Sequence, residues 1–222
     1  MQCKFQEDGM VSKGLRMRIS VSIFLFSVLI LWSGWGKAAS VVPLDPQRLF
    51  SYGSGPVEVF IFTDYFCPPC RSIESHMEEA LESLHRLGVK ITFVDMPFYP
   101  LTPLYASYFL YGAKAAEEFT DVLRVRRALF DIAQLKTVDS DAELVRRLKE
   151  KQIRISLLDL GPVFDQWSGI IKRFSVKSTP TCVVTRPGQE MQVLNGSVDI
   201  PQGIDRLIQD LSQISQTPKE VP

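Results

Sequence analysis

The sequence predicts an α/β domain in which a strand–helix–strand unit and a strand–strand–helix unit are separated by a helical insertion. Three observations predict this order: an apolar run that leads into an amphipathic stretch, a long middle part with helical periodicity, and a closely spaced strand pair near the end. With 222 residues, 45% apolar and 23% charged, the composition is that of a globular protein. It excludes collagen-like, coiled-coil and wholly disordered chains.

The N-terminal segment, residues 1–38, is typical of a targeting sequence. Arginines precede the apolar run 19–35 and small residues follow it, which is the order of regions in a secretory signal peptide. We expect cleavage after Ala38 or Ala39, and the leader would be of more ordinary length if translation began at Met17. The alternative is an uncleaved signal anchor in the membrane. Both alternatives predict an exported, periplasmic chain.

Residues 39–55 form a short lead-in, and the predicted domain covers residues 56–214. It begins with the apolar, partly β-branched run 57–62, which is typical of a strand buried on both faces. An amphipathic helix follows and ends at Gly88. Its apolar positions recur at steps of three and four: Ile73, Met77, Ala80, Leu81, Leu84 and Leu87. The run 89–94 is the second strand, which completes a βαβ unit.

The insertion is predicted to cover residues 103–174 and to consist of helices at 103–118, 120–135, 140–151 and 162–174. We interpret its aromatic residues as core, namely Tyr105, Tyr108, Phe109, Tyr111 and Trp167, and its basic cluster Arg124, Arg126 and Arg127 as a solvated helix face.

The last part of the domain is predicted as a hairpin followed by a helix. Strands at 181–185 and 189–194 surround the turn sequence Arg186-Pro187-Gly188. A closing helix is predicted at 201–214, with a disordered tail at 215–222.

The motif Cys67-Pro68-Pro69-Cys70 lies where the first strand meets the first helix. A thiol at a helix N-terminus is close to unpaired backbone N–H groups and to the positive end of the helix dipole, which favour a thiolate. Cys67 is therefore the expected nucleophile. Cys70, one turn into the helix, should be more buried and should resolve a mixed disulfide.

This order of elements, with Ser178-Thr179-Pro180-Thr181 entering the hairpin, resembles the thioredoxin fold with a helical insertion, as in exported Dsb-type oxidoreductases. The residues Phe62-Thr63-Asp64 before the cysteine pair look most like the catalytic domain of the DsbC and DsbG isomerases, and the long insertion also suits the DsbA-like group. The resemblance implies a thiol–disulfide oxidoreductase with catalytic Cys67 and Cys70 and the active-site dipeptide Pro68 and Pro69.

The resemblance also implies that Pro180 is a cis-proline beside which the backbone of Thr179 pairs with an extended substrate. The implied partners are exported proteins that carry thiols or disulfides, and a membrane redox partner. Because Pro68 and Pro69 have no N–H groups, we expect a weaker oxidant than a DsbA-like pair with the sequence CPHC.

The sequence departs from the family in two ways. Ile61 occupies the position at which thioredoxins and DsbA carry a buried carboxylate, so no built-in base for the Cys70 proton is evident. Asp64 is nearer to the cysteines, and we interpret it as a loop cap rather than a proton acceptor. The lead-in is also too short for the dimerisation domain of the isomerases, which favours a monomer.

The sequence points to no cofactor and no metal. Lys plus Arg equals Asp plus Glu, at 25 each, which argues against nucleic-acid binding. Zinc bound by the cysteine pair with His76 or His85 is conceivable, but the two prolines inside the motif argue against it. We interpret Cys182 as a buried apolar thiol. The alternative interpretation is that its side chain comes near the active pair.

Several functional alternatives stay open. The direction of exchange, as oxidase, isomerase or reductase, is not determined by the sequence, and a dedicated periplasmic reductase for a partner such as a cytochrome-maturation thiol is one alternative. Alternatives from other classes are a binding module or chaperone with a structural Cys67–Cys70 disulfide, and a carrier of copper or zinc.

Overall fold

A computed structural model of the protein describes residues 45–135, 137–138 and 140–216. For residues 215 and 216 it describes the backbone and not the side chains. The predicted leader, residues 1–38, and the end of the predicted tail lie outside these residues. Within the described part of the chain, no helix is both long enough and apolar enough to cross a membrane.

The described residues form one mixed sheet of five strands in the order β1-β3-β2-β4-β5. β2 and β3 are parallel neighbours, and the other three pairs are antiparallel. β2 is therefore central, which agrees with its nearly continuous apolar sequence. The strands are β1 (Ser51–Tyr52), β2 (Glu58–Thr63), β3 (Lys90–Asp95), β4 (Thr181–Thr185) and β5 (Gln192–Asn195).

The described residues contain six α-helices, and the predicted block of four helices between β3 and β4 is confirmed. α1 packs against α3 and α6. α5 covers β2, where the ring of Phe174 lies 4.6 Å from that of Phe60 and 6.1 Å from that of Phe62. The helices are α1 (Pro68–Arg86), α2 (Thr102–Ala115), α3 (Phe119–Gln134), α4 (Asp141–Glu150), α5 (Gly161–Phe174) and α6 (Gly196–Gln216).

The alternation of side chains along β2 gives the sheet two different environments. Phe60 and Phe62 contact α5, whereas Ile61 and Thr63 line a cavity together with residues of α1. Cys182 on β4 lies opposite Ile61 in the antiparallel register. The α1 side of the sheet therefore brings Cys182 close to the cysteine motif.

Gly88 closes the C-terminal end of α1, as the sequence predicts. This residue adopts a φ of +80°, its N–H donates to the carbonyl of His85, and the N–H of Val89 donates to that of Leu84. This is the Schellman arrangement, which needs a left-handed residue that glycine supplies at low cost. The chain is thereby turned directly into β3.

Three boundaries differ from the prediction. The lead-in contributes β1, in which Ser51 hydrogen-bonds Thr92 of β3 at 2.8 Å, and two residues are too few to show a strand period. β5 begins at Gln192 because the turn around Gly188 is followed by three further loop residues. α6 begins at Gly196, so that Pro201 lies inside the helix rather than at its start.

Candidate functional site

The cysteine motif lies between the end of β2 and the start of α1. Cys67 is the N-cap residue of α1, and Pro68 and Pro69 fill the first helical positions. The N–H of Cys67 donates to the carbonyl of Asp64 at 3.2 Å, and the N–H of Arg71 donates to the carbonyl of Cys67 at the same distance. Both prolines are exposed. The motif is thus held by its flanking backbone and presents its dipeptide to solvent.

The two cysteines of the motif differ in environment. Both are free thiols, with Cys67 6% exposed and Cys70 0% exposed, which confirms that Cys70 is the more buried. Burial raises the pKa of the Cys70 thiol, and a hydrogen bond with Cys67 raises it further. Cys70 therefore holds its proton at neutral pH unless a neighbouring group accepts it.

The loop before β4 faces the motif. The peptide bond between Thr179 and Pro180 is cis, and the carbonyl oxygen of Thr179 accepts a hydrogen bond from the Cys67 Sγ at 3.4 Å. Pro180 is buried, and its own carbonyl accepts from the N–H of Gly196 at 3.0 Å. The structure therefore brings Cys67, Cys70, Thr179 and Pro180 together.

Asp64 organises the loops on the other side of the motif. Its carboxylate accepts hydrogen bonds from the N–H groups of Phe66, at 2.9 Å, and Phe98, at 3.2 Å, and from the Thr102 hydroxyl, at 2.6 Å. Burial raises the pKa of Asp64, and these hydrogen bonds oppose the rise. These contacts are those of a loop cap, the role that the sequence predicts for Asp64.

A buried ion pair beneath the motif was not predicted. The Glu74 carboxylate on α1 lies 2.7 Å from the Nε of Arg126 and accepts from its Nη2 at 3.0 Å. Arg126 is 1% exposed, so the prediction of a solvated helix face is wrong for this residue. Helical spacing contains the signal: Glu74 lies four residues after Cys70, and Arg126 lies four after Val122 and four before Phe130, on apolar faces.

The ion pair extends to a second carboxylate at the end of β3. Arg126 Nη2 also donates to the Thr63 hydroxyl at 3.2 Å, and the Asp95 carboxylate accepts from the Tyr65 hydroxyl at 2.8 Å. Burial raises the pKa of Asp95 to about 7, and Arg126 opposes the rise. We refer to Thr63, Tyr65, Glu74, Asp95 and Arg126 as the Arg126 cluster.

A small enclosed cavity separates the motif from this cluster. Its walls include Cys70, Cys182, Thr63, Glu74 and Arg126, and it has room for about one water molecule. Cys182 is fully buried, and burial raises its pKa to about 12. It is thus both the buried thiol that the sequence predicts and a neighbour of the active pair.

None of the remaining candidates contacts the two thiols, although the ring of Tyr105 lies 4.8 Å from that of Phe66, the residue before Cys67. Tyr105, Tyr108, Phe109 and Trp167 are buried and Tyr111 packs against them, so the interpretation as core residues is confirmed. The Nε2 of His76 lies 3.0 Å from a carboxylate oxygen of Asp205, and His85 stacks on Phe119. Among the described residues, no three His, Cys, Asp or Glu side chains are grouped as metal ligands.

An apolar pocket of about 350 Å³ includes neither cysteine among its lining residues. It lies between the start of α2 and α5, and Trp167 and Phe164 line it.

The sheet order, the helical insertion, the Cys-x-x-Cys motif at the start of α1 and the cis-proline beside it define a thioredoxin-like fold with a helical insertion. No family model matches the chain, and no curated protein sequence matches it.

Solved structures share this fold. A periplasmic thioredoxin-like protein from Salmonella enterica serovar Typhimurium is 18% identical, with a TM-score of 0.56 over 75% of this chain and 91% of that one. The catalytic domain of Proteus mirabilis ScsC is 19% identical, with a TM-score of 0.54 over 72% and 87%. A variant of Wolbachia pipientis α-DsbA1 is 12% identical, with a TM-score of 0.53 over 78% and 100%. The predicted thioredoxin-like fold is confirmed.

Proposed function

We propose that the protein is a thiol–disulfide oxidoreductase that exchanges disulfides with other proteins through Cys67 and Cys70. The observation that carries this proposal is the position of the Cys67 Sγ. It lies at the N-cap of α1, 3.4 Å from the Thr179 carbonyl, with a second, more buried thiol one turn into the helix.

Exchange proceeds in two steps on this arrangement. The Cys67 thiolate attacks one sulfur of a substrate disulfide, which forms a mixed disulfide and releases the other substrate sulfur as a thiolate. The Cys70 thiolate then attacks the Cys67 Sγ, which forms the Cys67–Cys70 disulfide and releases the second substrate thiolate. The substrate gains two electrons and the cysteine pair loses two. The reverse sequence oxidises a substrate dithiol.

Unfolded or extended protein segments suit the surface around Cys67. Phe98 and Tyr99 are 50% and 41% exposed, and the Tyr99 ring lies 6.2 Å from that of Phe66, the residue before Cys67. The exposed Pro68 and Pro69 adjoin them, and the Thr179 backbone offers main-chain pairing. Apolar contacts combined with backbone pairing favour binding with little sequence preference.

The proposal includes export to the periplasm, as the order of regions in the leader indicates. The neighbours above include a protein described as periplasmic and others of the ScsC and DsbA types, which supports the same compartment and chemistry. A membrane partner that resets the cysteine pair belongs to the proposal, and the direction of exchange would follow from the potential of the pair.

The test is to trap the intermediate. The full-length protein, reduced, is mixed with a peptide that contains one intramolecular disulfide, and acid-quenched samples are analysed by mass. We expect Cys70→Ser to accumulate a mixed disulfide at Cys67, because the resolving thiol is missing. Cys67→Ser should form no adduct, and Cys182→Ser should behave as the wild type.

The alternatives predict other results. A structural Cys67–Cys70 disulfide would resist reduction and give no adduct in Cys70→Ser at neutral pH. A carrier of copper or zinc would retain stoichiometric metal after purification under reducing conditions. Either result would overturn the proposal.

A further inference from the structure

We infer that Glu74 accepts the proton of Cys70 when the mixed disulfide is resolved, and returns it when the cysteine pair is reduced. This inference rests on the proposed function and assigns the proton acceptor that Ile61, at the usual position of a buried carboxylate, does not provide. Glu74 would act through the enclosed cavity that it shares with Cys70.

The first argument is the make-up of that cavity. Both Cys70 and Glu74 contribute to its walls, and it has room for about one water molecule. The Arg126 Nη1 is buried and has no hydrogen-bond partner among the described residues. A water molecule in this cavity would lie between walls that include the thiol and the carboxylate, where it could pass a proton from one to the other.

The second argument is that Glu74 also borders solvent on its other side. It lines a polar cleft of about 260 Å³ between α1 and α3, whose other walls include Arg71, Ser75, Glu78, Arg127 and Asp131. Glu74 is the only residue among the linings of both spaces. A proton taken from Cys70 would therefore have a route through Glu74 to solvent.

The third argument is the electrostatic setting of the carboxylate. Arg126 and Arg127 on α3 favour its charged form, whereas burial and Glu78 on α1 disfavour it, and the pKa of Glu74 is raised above its ordinary value. A carboxyl group whose pKa is closer to neutral both accepts and returns a proton more readily. The other titratable or charged groups around it are Cys70 and Arg71 on α1, Asp131 on α3, Cys182 on β4, Asp95 on β3 and Tyr65 in the loop before α1.

The step balances as follows. In the mixed disulfide, the Cys70 S–H bond breaks and its proton passes to the Glu74 carboxylate. The Cys70 Sγ then forms a bond with the Cys67 Sγ, and the bond from the Cys67 Sγ to the substrate sulfur breaks. The substrate leaves as a thiolate, and Glu74 releases its proton to the polar cleft.

The test separates the two steps of exchange. Reduced full-length protein is mixed with oxidised glutathione between pH 5 and 9, quenched with acid, and analysed by mass for the glutathione adduct and the internal disulfide. In Glu74→Gln we expect the adduct to form at the wild-type rate but to resolve about 100-fold more slowly at pH 7. The deficit should shrink as pH rises, since hydroxide then removes the thiol proton. Glu74→Asp should recover part of the rate.

Glu79→Gln is the matched control, because Glu79 is an exposed carboxylate on the same helix that lines neither the cavity nor the cleft. It should resolve the adduct at the wild-type rate. If Glu74→Gln does not fold, the double variant Glu74→Gln/Arg126→Gln removes both charges of the pair and should show the same slow, pH-dependent resolution.

The outcomes are distinguishable. Wild-type protein that forms neither the adduct nor the internal disulfide would overturn the proposed function. Wild-type protein that forms and resolves it, with Glu74→Gln or the double variant equally fast at pH 7, would overturn the role of Glu74 alone. A deficit of equal size at every pH would also overturn it, because a structural role predicts that result.

Discussion

Asp64 and Glu74 are two buried carboxylates on opposite sides of the cysteine motif, and their surroundings differ. Asp64 accepts from three neutral donors in the adjoining loops. Glu74 is paired with a buried arginine that keeps one nitrogen without a partner, and it borders a cavity shared with Cys70. The comparison teaches that a carboxylate whose hydrogen bonds all come from neutral loop groups holds those loops in place. An ion pair in which one nitrogen has no partner can still bind a further polar group and take part in proton transfer.

Removal of the arginine should have the largest effect on stability. Arg126→Met leaves the Glu74 carboxylate buried without its partner, and we expect the free energy of unfolding to fall by about 3–5 kcal/mol. Urea denaturation at pH 7 measures it. Arg124→Met, on the exposed side of α3, should cost less than about 0.5 kcal/mol. A small loss in Arg126→Met would contradict a buried ion pair.

The Arg126 cluster should also make stability depend on pH through Asp95. The pKa of Asp95 is about 7 in the folded protein, above that of an unfolded aspartate, so the folded state binds more protons between about pH 4 and 7. The contribution of Asp95 to the free energy of unfolding is therefore lost as pH rises through that window, by about 4 kcal/mol. The free energy of unfolding of Asp95→Asn, minus that of the wild type, should therefore increase as the pH rises from 4 to 8. A difference that does not change with pH would refute this assignment.

Asp64 provides the contrasting case. Asp64→Ala leaves three donors without their acceptor, and we expect a loss of about 2 kcal/mol in stability. The folded variant should nevertheless resolve the glutathione adduct within about twofold of the wild-type rate, since Asp64 is not a wall of the Cys70 cavity. A much slower resolution in a stable variant would assign the proton acceptor to Asp64 and reverse the comparison.

Cys182 should have the smallest effect. Cys182→Ala removes one buried sulfur from the cavity wall and should cost about 1 kcal/mol in stability. We expect Cys182 to take no part in the exchange, so the equilibrium of the Cys67–Cys70 pair with glutathione should not change. A shift of that equilibrium would show that the third thiol takes part in the chemistry.

The sequence was sufficient to predict the fold and the cysteine motif. Both depend on local patterns: the apolar run around Ile61, the helical period of α1, and turn residues such as Gly88. The register of β1 and the start of α6 depend on tertiary pairing, which short segments do not encode in their own period.

The Glu74–Arg126 ion pair was harder to predict because it combines one charge from each of two helices that are far apart in sequence. Glu74 and Arg126 each lie on an apolar helix face, and that position is a signal that sequence reading can use. Whether two such charges meet depends on the packing of α1 against α3, and the sequence of either helix alone does not contain this information.

The redox equilibrium of the cysteine pair tests the central claim most directly. The full-length protein is equilibrated with glutathione and dithiothreitol buffers, and its thiols are trapped and counted by mass, with Cys67→Ser as control. We predict a reversible two-electron transition at a potential more reducing than about −120 mV, the value typical of DsbA, because Pro68 and Pro69 offer no N–H groups to a thiolate. A pair that does not equilibrate with either buffer would contradict the account, and a more oxidising potential would contradict the role given to the two prolines.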